Sequence, residues 1–475
     1  MGNTGWRAVV AAVVVLWMAA GVACGKIIYV DDDANSPGDG RGWATAYRYL
    51  QDALADANSS PKPVEVRVAQ GVYRPDRNAS EPNGTGDRLA SFELVSGVAL
   101  MGGYAGLGAV DPNARDVRRY ETVLSGDIGT PGALWDNSYH VLLSLEVDQT
   151  AILDGFAISG GNADGWYFDD HGGAMRNSGS PLIARCVFEA NTAFSSGGAV
   201  YNEGGALTFR ECAFLRNGSV GNLQYLCERG GAIISPFGSV RLVNCLFAGN
   251  SAVLCGAVDE SSGTVVAEKC TFWGNRAIWD GGAIYAFRGA VVIHESILWG
   301  NVAWRSSGQA AQIQADQVEV AYCCVEGWTG SLGGTGNTGA DPCVADGGYW
   351  AALDDSSVRV DWWRTDAVWV DGDSHLMSQG GRWLTDEGRW TTDDVTSPCI
   401  DAGDPMSPIG LEPFPNGGRV NMGAYGGTAE ASKSYFGGPV CQAIVAGDIN
   451  GDCRVDFTDV ALLMVHWLAD GAQAQ

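Results

Sequence analysis

The sequence predicts an all-β right-handed parallel β-helix with a helix capping its N-terminal end and a small loop–helix calcium module at its C-terminal end. Three observations lead there. Two independent signatures recur at a common spacing, an amphipathic helical segment precedes them, and oxygen ligands near the C-terminus fall at calcium-loop intervals. The first signature runs Cys186-Val-Phe188-Glu-Ala-Asn191, Cys212-Ala-Phe214-Leu-Arg-Asn217, Cys245-Leu-Phe247-Ala-Gly-Asn250 and Cys270-Thr-Phe272-Trp-Gly-Asn275, with the variant Ser296-Ile-Leu298-Trp-Gly-Asn301. Its steps are 26, 33, 25 and 26 residues. The second, Gly-Gly-Ala plus an apolar residue, starts at Gly172, Gly197, Gly230 and Gly281, with a variant at Cys255, and steps by 25, 33, 25 and 26. Both series share one long step, so a single coil carries an insertion between Asn217 and Gly230.

In chain order, residues 1–23 read as a secretory signal peptide. Arg7 precedes an apolar run over residues 8–20, which ends in the small residues Gly21, Val22 and Ala23. That run is shorter than the ~20 residues a membrane-spanning helix needs, and no later stretch qualifies. The expected location is therefore extracellular or cell-surface, with no transmembrane segment in the mature chain. Lipidation at Cys24 is the lesser alternative, because Gly21 stands where such sites favour leucine. Residues 45–57 read as the capping helix, with Leu50, Ala53, Leu54 and Ala57 on one face. Residues 64–69, 92–94, 98–101 and 141–145 read as strands of early coils. The β-helix is placed at 27–430, with its clearest repeats at 155–301 and a Trp-rich excursion at 347–392. Segments 397–401 and 420–425 read as its last coil, and 431–446 as a linker.

A unit of this length, holding short strands between glycine and asparagine corners, is one rung of a solenoid. A rung cannot bury its apolar face alone, so rungs stack at the ~4.8 Å spacing of paired strands. Each column of the repeat then becomes a ladder. The phenylalanines form an inward aromatic stack, the cysteines a parallel inward column, and the asparagines an amide ladder at a corner with positive φ. Arg185, Glu211, Asn244, Lys269 and Glu295 form an outward column, in which Arg185 should meet Glu211 and Lys269 should meet Glu295. The paired Gly-Gly-Ala-Ile and Phe-x-x-Asn motifs over residues 155–301 resemble the repeat of the chlamydial polymorphic outer-membrane proteins. The resemblance implies a right-handed β-helix with an exported surface role. It departs from that family in having no room for a membrane β-barrel.

Near the C-terminus, Asp448, Asn450, Asp452, Asp456 and Asp459 take loop positions 1, 3, 5, 9 and 12, and the carbonyl of Arg454 is available at position 7. This spacing wraps hard oxygens around one calcium ion. The apolar stretch 460–467 follows as a single helix, which completes a module over 447–470. The pattern resembles one type I dockerin repeat, and that resemblance implies a calcium-binding tail with a cohesin-like or cell-surface partner. A cohesin-binding dockerin has two such repeats and this chain shows one. Cys453 occupies the usual glycine position, and nearby Cys441 suggests a local Cys441–Cys453 disulfide.

The net charge of −26, from 55 acidic and 29 basic residues, repels nucleic acid and anionic membranes. Asp169, Asp170 and His171 form the best local acid–base candidate, with an acidic surface loop as the alternative. Trp273 and Trp299 share an outward slot on successive rungs, with Trp279 and Trp304 a few residues on. Such a row suits stacking on sugar faces, or packing beneath the Trp-rich excursion. The first functional reading is non-catalytic adhesion or binding of an extracellular polysaccharide or surface glycan. A polysaccharide lyase or glycoside hydrolase comes second and a structural spacer third.

Overall fold

The computed structural model describes residues 25–35, 38–218, 228–364, 367–437, 447, 449 and 454–469. Residues 1–23, read above as a signal peptide, lie outside them, as do Cys24, Cys441, Asp448, Asn450, Asp452 and Cys453. The chain winds into a right-handed parallel β-helix. One stack of parallel strands runs from Lys26–Val30 and Val64–Ala69 through Leu182–Ala184 and Ser239–Val243 to Ile284–His294. A second runs from Phe92–Glu93 through Val200–Asn202 to the same long strand, which spans the corner between the two stacks. A third stack holds the phenylalanine strands, from Gly71–Tyr73 to Cys324–Val325. Short strands such as Thr192–Ala193 and Arg276–Ala277 line a fourth, narrow side.

The inward columns form as the repeat requires. Phe188, Phe214, Phe247 and Phe272 are fully buried and stack at 4.8, 4.6 and 4.7 Å with nearly parallel planes. Register continues the column through Leu298 to Val325 and back through Ile158 to Leu124. The cysteines at 186, 212, 245 and 270 are buried free thiols. Each points its sulfur at the carbonyl two residues back, as Cys186 Sγ does to Ala184 O at 3.2 Å. Asn191, Asn217, Asn250 and Asn275 each donate from Nδ2 to the Oδ1 of the next asparagine, and the ladder ends on Gln312 through Asn301.

The positive φ lies elsewhere than expected. It falls on the residue before each asparagine (Ala190, Arg216, Gly249, Gly274, Gly300) and on the residue before each cysteine (Arg185, Glu211, Asn244, Lys269). The asparagine side chains are occupied by the ladder, and their neighbours make the bend. The change from Ala190 and Arg216 to Gly249 and Gly274 has a packing reason as well. A Cβ on Gly249 or Gly274 would stand 2.0 Å from the Trp369 ring, which lies across both.

Three further expectations change. The capping helix is Leu50–Ser59, with Leu50, Ala53, Leu54 and Ala57 buried, and it starts later than residue 45. Tyr47 is extended instead, because it pairs with the first strand through Tyr29 O and Asp31 N. Arg185 does not pair with Glu211. Its guanidinium turns back one rung to Asp154, with Nε at 2.9 Å from Oδ1. Lys269 and Glu295 do pair, at 3.2 Å, but Glu295 is buried because later chain lies over it.

That later chain is residues 397–425, which form no rung of strands. Gly423 N donates to Glu295 O, Ala424 N to Thr271 Oγ1, and Asn244 Nδ2 to the carbonyls of Ala424 and Gly426. The segment is a cover on the outside of the third stack, beyond the last solenoid strand at Cys324–Val325. The Trp-rich excursion folds as two antiparallel ribbons, Tyr349–Ala352 with Ala367–Val370 and Arg382–Leu384 with Arg389–Thr391. Arg276 fastens the first of them. It is buried against the Trp350 face and donates from Nη1 to Trp362 O and Arg364 O, and burial lowers its pKa to about 10.

Candidate functional site

The narrow fourth side places aromatic side chains in a row. After Asn191, Asn250, Asn275 and Asn301 come two strand residues and then a corner residue: Phe194, Val253, Ile278 and Trp304. Backbone bonds hold these corners in register, from Phe194 N to Ala163 O, Ile278 N to Ala252 O, Trp279 N to Val253 O and Arg305 N to Trp279 O. Phe194, Trp279 and Trp304 are exposed along this edge. One rung before Phe194, the strand Asn162–Ala163 leads into a loop that carries Trp166, Tyr167 and Phe168 outward. Trp166 is 86 % exposed, Tyr167 87 % and Trp304 69 %. From the Ala163 rung to the Ala303 rung is five steps, or about 24 Å at the usual strand spacing.

The loop is fixed rather than loose. Gly165 N bonds Asp169 O, Ser195 N bonds Asp170 O, and the Arg176 guanidinium sits 4.4 Å from the Phe168 ring. Tyr167 takes φ 59°, a conformation that disfavours a bulky side chain and persists only where its surroundings impose it. The aromatic tip is held out into solvent at a conformational cost of order 1–3 kcal/mol.

Asp169, Asp170 and His171 close this loop, and the structure adds groups around them. His171 Nε2 is 3.3 Å from Asp170 Oδ1, and its ring stacks on Tyr201 at 4.5 Å. Ser195 Oγ donates to Asp170 Oδ2 at 2.9 Å. His140, buried behind the loop, has Nδ1 3.0 Å from Gly172 O and Nε2 3.6 Å from Asp169 Oδ1. Arg176 pairs with Glu203 at 3.0 Å. Burial holds both imidazoles below the usual histidine range, so they stay neutral at neutral pH. A neutral imidazole beside a carboxylate is equipped to take or relay a proton.

Trp273 and Trp299 share their slot, as the register of their strands requires, but they do not belong to the aromatic edge. Both are half-buried under the cover. Trp273 packs with Trp350, Trp369 and Ala248, and a Cβ on Gly347 would meet its indole at 2.6 Å. Trp299 packs with Leu376, Cys399 and Met422. Of the four, Trp279 and Trp304 are exposed, with the Arg305 guanidinium 4.9 Å over the Trp279 ring and Trp362 6.2 Å from Trp304. Reading the sequence for repeated residue types misses Trp166, Tyr167, Phe168, Phe194 and His140. Extending the repeat three residues past each asparagine pairs Phe194 with Trp304.

In the C-terminal loop, Asp459 turns its buried carboxylate back over the loop. Its Oδ1 accepts from Ile449 N at 2.7 Å and its Oδ2 from Asp456 N at 2.8 Å. The helix Phe457–Ala469 follows. The carbonyl and carboxylate oxygens of Arg454, Asp456 and Asp459 are hard donors of the kind calcium takes. No helix among the described residues is long and apolar enough to cross a membrane.

Residues 136–326 match the family described as the right handed beta helix region. No curated protein matches the chain. Among solved structures, the chain is similar to a pectate lyase at 15% identity, covering 85% of this chain and 97% of that one with a TM-score of 0.43. It is also similar to the pectin methylesterase from Aspergillus niger in deglycosylated form, at 12% identity, 62% and 90% coverage and a TM-score of 0.28.

Proposed function

We propose that this chain is a secreted or cell-surface β-helix that binds an extended extracellular glycan without cleaving it, along the edge from Trp166 to Trp304. The observation that carries this reading is the row of exposed aromatics. Trp166, Tyr167, Phe168, Phe194, Trp279 and Trp304 stand on one edge of a rigid stack, and an isolated fold gains nothing by exposing them together. Aromatic faces stack on sugar rings, and the net charge of −26 favours a neutral or calcium-bridged glycan over a polyanion. A glycan array probed with the full chain and with a Trp166→Ala/Trp304→Ala variant tests it. Retention on the same glycans at equal strength by both proteins contradicts the reading.

A second reading, a polysaccharide lyase or glycoside hydrolase, is favoured by one observation. The acid–histidine cluster of His140, Asp169, Asp170 and His171 stands at one end of the aromatic edge. Incubation with a polysaccharide panel, with and without calcium, separates the two. Product formation that is lost in His171→Ala supports catalysis, and no product with retained binding supports the first reading.

For the tail, the proposal is a single calcium ion held by Asp448, Asn450, Asp452, the Arg454 carbonyl, Asp456 and Asp459, in a loop closed by a Cys441–Cys453 disulfide. It would stiffen an attachment point for a cohesin-like or cell-surface partner. Calorimetry should show one calcium bound per chain, lost in Asp459→Ala. Peptide mapping without reductant should recover the linked cysteines, and two free thiols there would end the disulfide.

A further inference from the structure

A cavity of about 220 Å³ opens at the N-terminal end of the solenoid, away from the aromatic edge. It lies between the start of the capping helix and the strand Gly71–Tyr73, and is lined by Asp32, Arg48, Tyr49, Val72, Arg74 and Arg77 among others. Three arginines line it in a chain whose net charge is −26. Many arginines elsewhere on the outer surface are paired: Arg176 with Glu203, Arg185 with Asp154, Arg241 with Glu268 and Arg382 with Asp393. Arg48, Arg74 and Arg77 make no ion pair among the described residues.

Their hydrogen bonding is incomplete as well. Arg74 donates from Nε to Asp127 O at 2.7 Å and makes no other side-chain bond among the described residues. Arg77 is half-buried, and its Nε is shielded from solvent without a partner. Leaving such a donor buried and unmet is costly, the more so when charged. Asp32, the one acid lining the cavity, accepts from Val72 N through Oδ2 at 3.0 Å, and its carboxylate lies within 4.8 Å of those of Asp31 and Asp33. The N-terminus of the capping helix opens on the same space with no side-chain cap at Tyr49. Its partial positive charge adds to that of the arginines.

Guanidinium forks match the planar or tetrahedral oxygens of carboxylate, sulfate and phosphate. The volume is below the ~300 Å³ at which drug-sized sites begin. We propose that this cavity binds an oxyanion group carried by a molecule no larger than about one sugar ring. The site is separate from the aromatic edge and does not depend on it.

The test is calorimetric titration of the full chain with inorganic sulfate, inorganic phosphate, glucuronic acid and glucose 6-sulfate, with glucose as the neutral control. At least one anionic probe should bind and glucose should not. The rank of the inorganic ions against the two sugars tells a free oxyanion from a sugar-borne one. Arg48→Ala and Arg77→Ala should each weaken binding tenfold or more, and Trp304→Ala should leave it unchanged. Arg48 is exposed and makes no side-chain bond among the described residues, so its variant decides the matter if Arg77→Ala folds poorly. Binding of no anionic probe, equal binding of glucose, or unchanged affinity in Arg48→Ala would each overturn the proposal.

Discussion

Phe214 and Phe247 stack with ring centroids 4.6 Å apart and planes 3° from parallel, although 33 residues separate them in the sequence. The rung between them carries the insertion, yet Ala213, Phe214 and Leu215 stay in register with Leu246, Phe247 and Ala248. In sequence the extra residues fall between the strands Ala213–Leu215 and Ile233–Ser235, and neither strand loses register with its neighbours. Stacked identical rings thus hold the register that local sequence would have lost.

Replacing Phe247 with Ala removes a ring buried between two others. The expected loss is roughly 3–5 kcal/mol by chemical denaturation, as for buried aromatics generally. A change within error would mean that the column does not support the stack.

The Phe, Cys and Asn columns are legible because parallel stacking sets one chemical demand at each position and repeats it. The aromatic edge is not legible in the same way. Its corner slot faces solvent, so no packing demand repeats, and Phe194, Val253, Ile278 and Trp304 share only their place. The outward direction of Trp273 also follows from strand alternation. Whether later chain covers it depends on contacts from residues 347–369, which no local pattern encodes. The same holds for residues 397–425, where a strand-like composition forms a cover instead of a rung.

A Trp273→Ala/Trp299→Ala variant should therefore melt several degrees lower, because it hollows the seat of Trp350, Trp369, Leu376 and Met422. Glycan retention should persist. Unchanged melting with lost retention would return these two residues to the binding surface.

The cover is also clasped by His375, which stacks on Tyr425 at 3.6 Å with Nδ1 2.6 Å from Asp373 Oδ1. Glu430 Oε2 stands 3.7 Å from its Nε2, and Arg118 and Arg382 pair with the two acids. Burial alone would depress the His375 pKa, but the hydrogen bond to Asp373 and the nearby Glu430 carboxylate hold it above the usual histidine range. Burial likewise opposes Asp373 and Glu430, and the neighbouring His375 helps to lower both. The histidine contribution is full below its unfolded pKa and is lost as pH rises through the folded value. The carboxylate contributions are full above their unfolded values and are lost as pH falls through the folded ones. The stability gap between the natural chain and His375→Gln should be widest between about pH 4.5 and 6.5 and shrink at higher pH. Melting scans across pH check this, and a gap that widens above neutrality would contradict it.

The central claim is that one glycan chain lies along the edge from Trp166 to Trp304, and its most direct test is affinity against oligosaccharide length. With a glycan retained on the array, affinity should rise with each added sugar until the oligomer spans the roughly 24 Å edge, then level off. Trp304→Ala should cost about two- to tenfold for the longest oligomers and nothing for the shortest ones held at the Trp166 end. Affinity independent of length, with no loss in either Trp166→Ala or Trp304→Ala, would contradict the account.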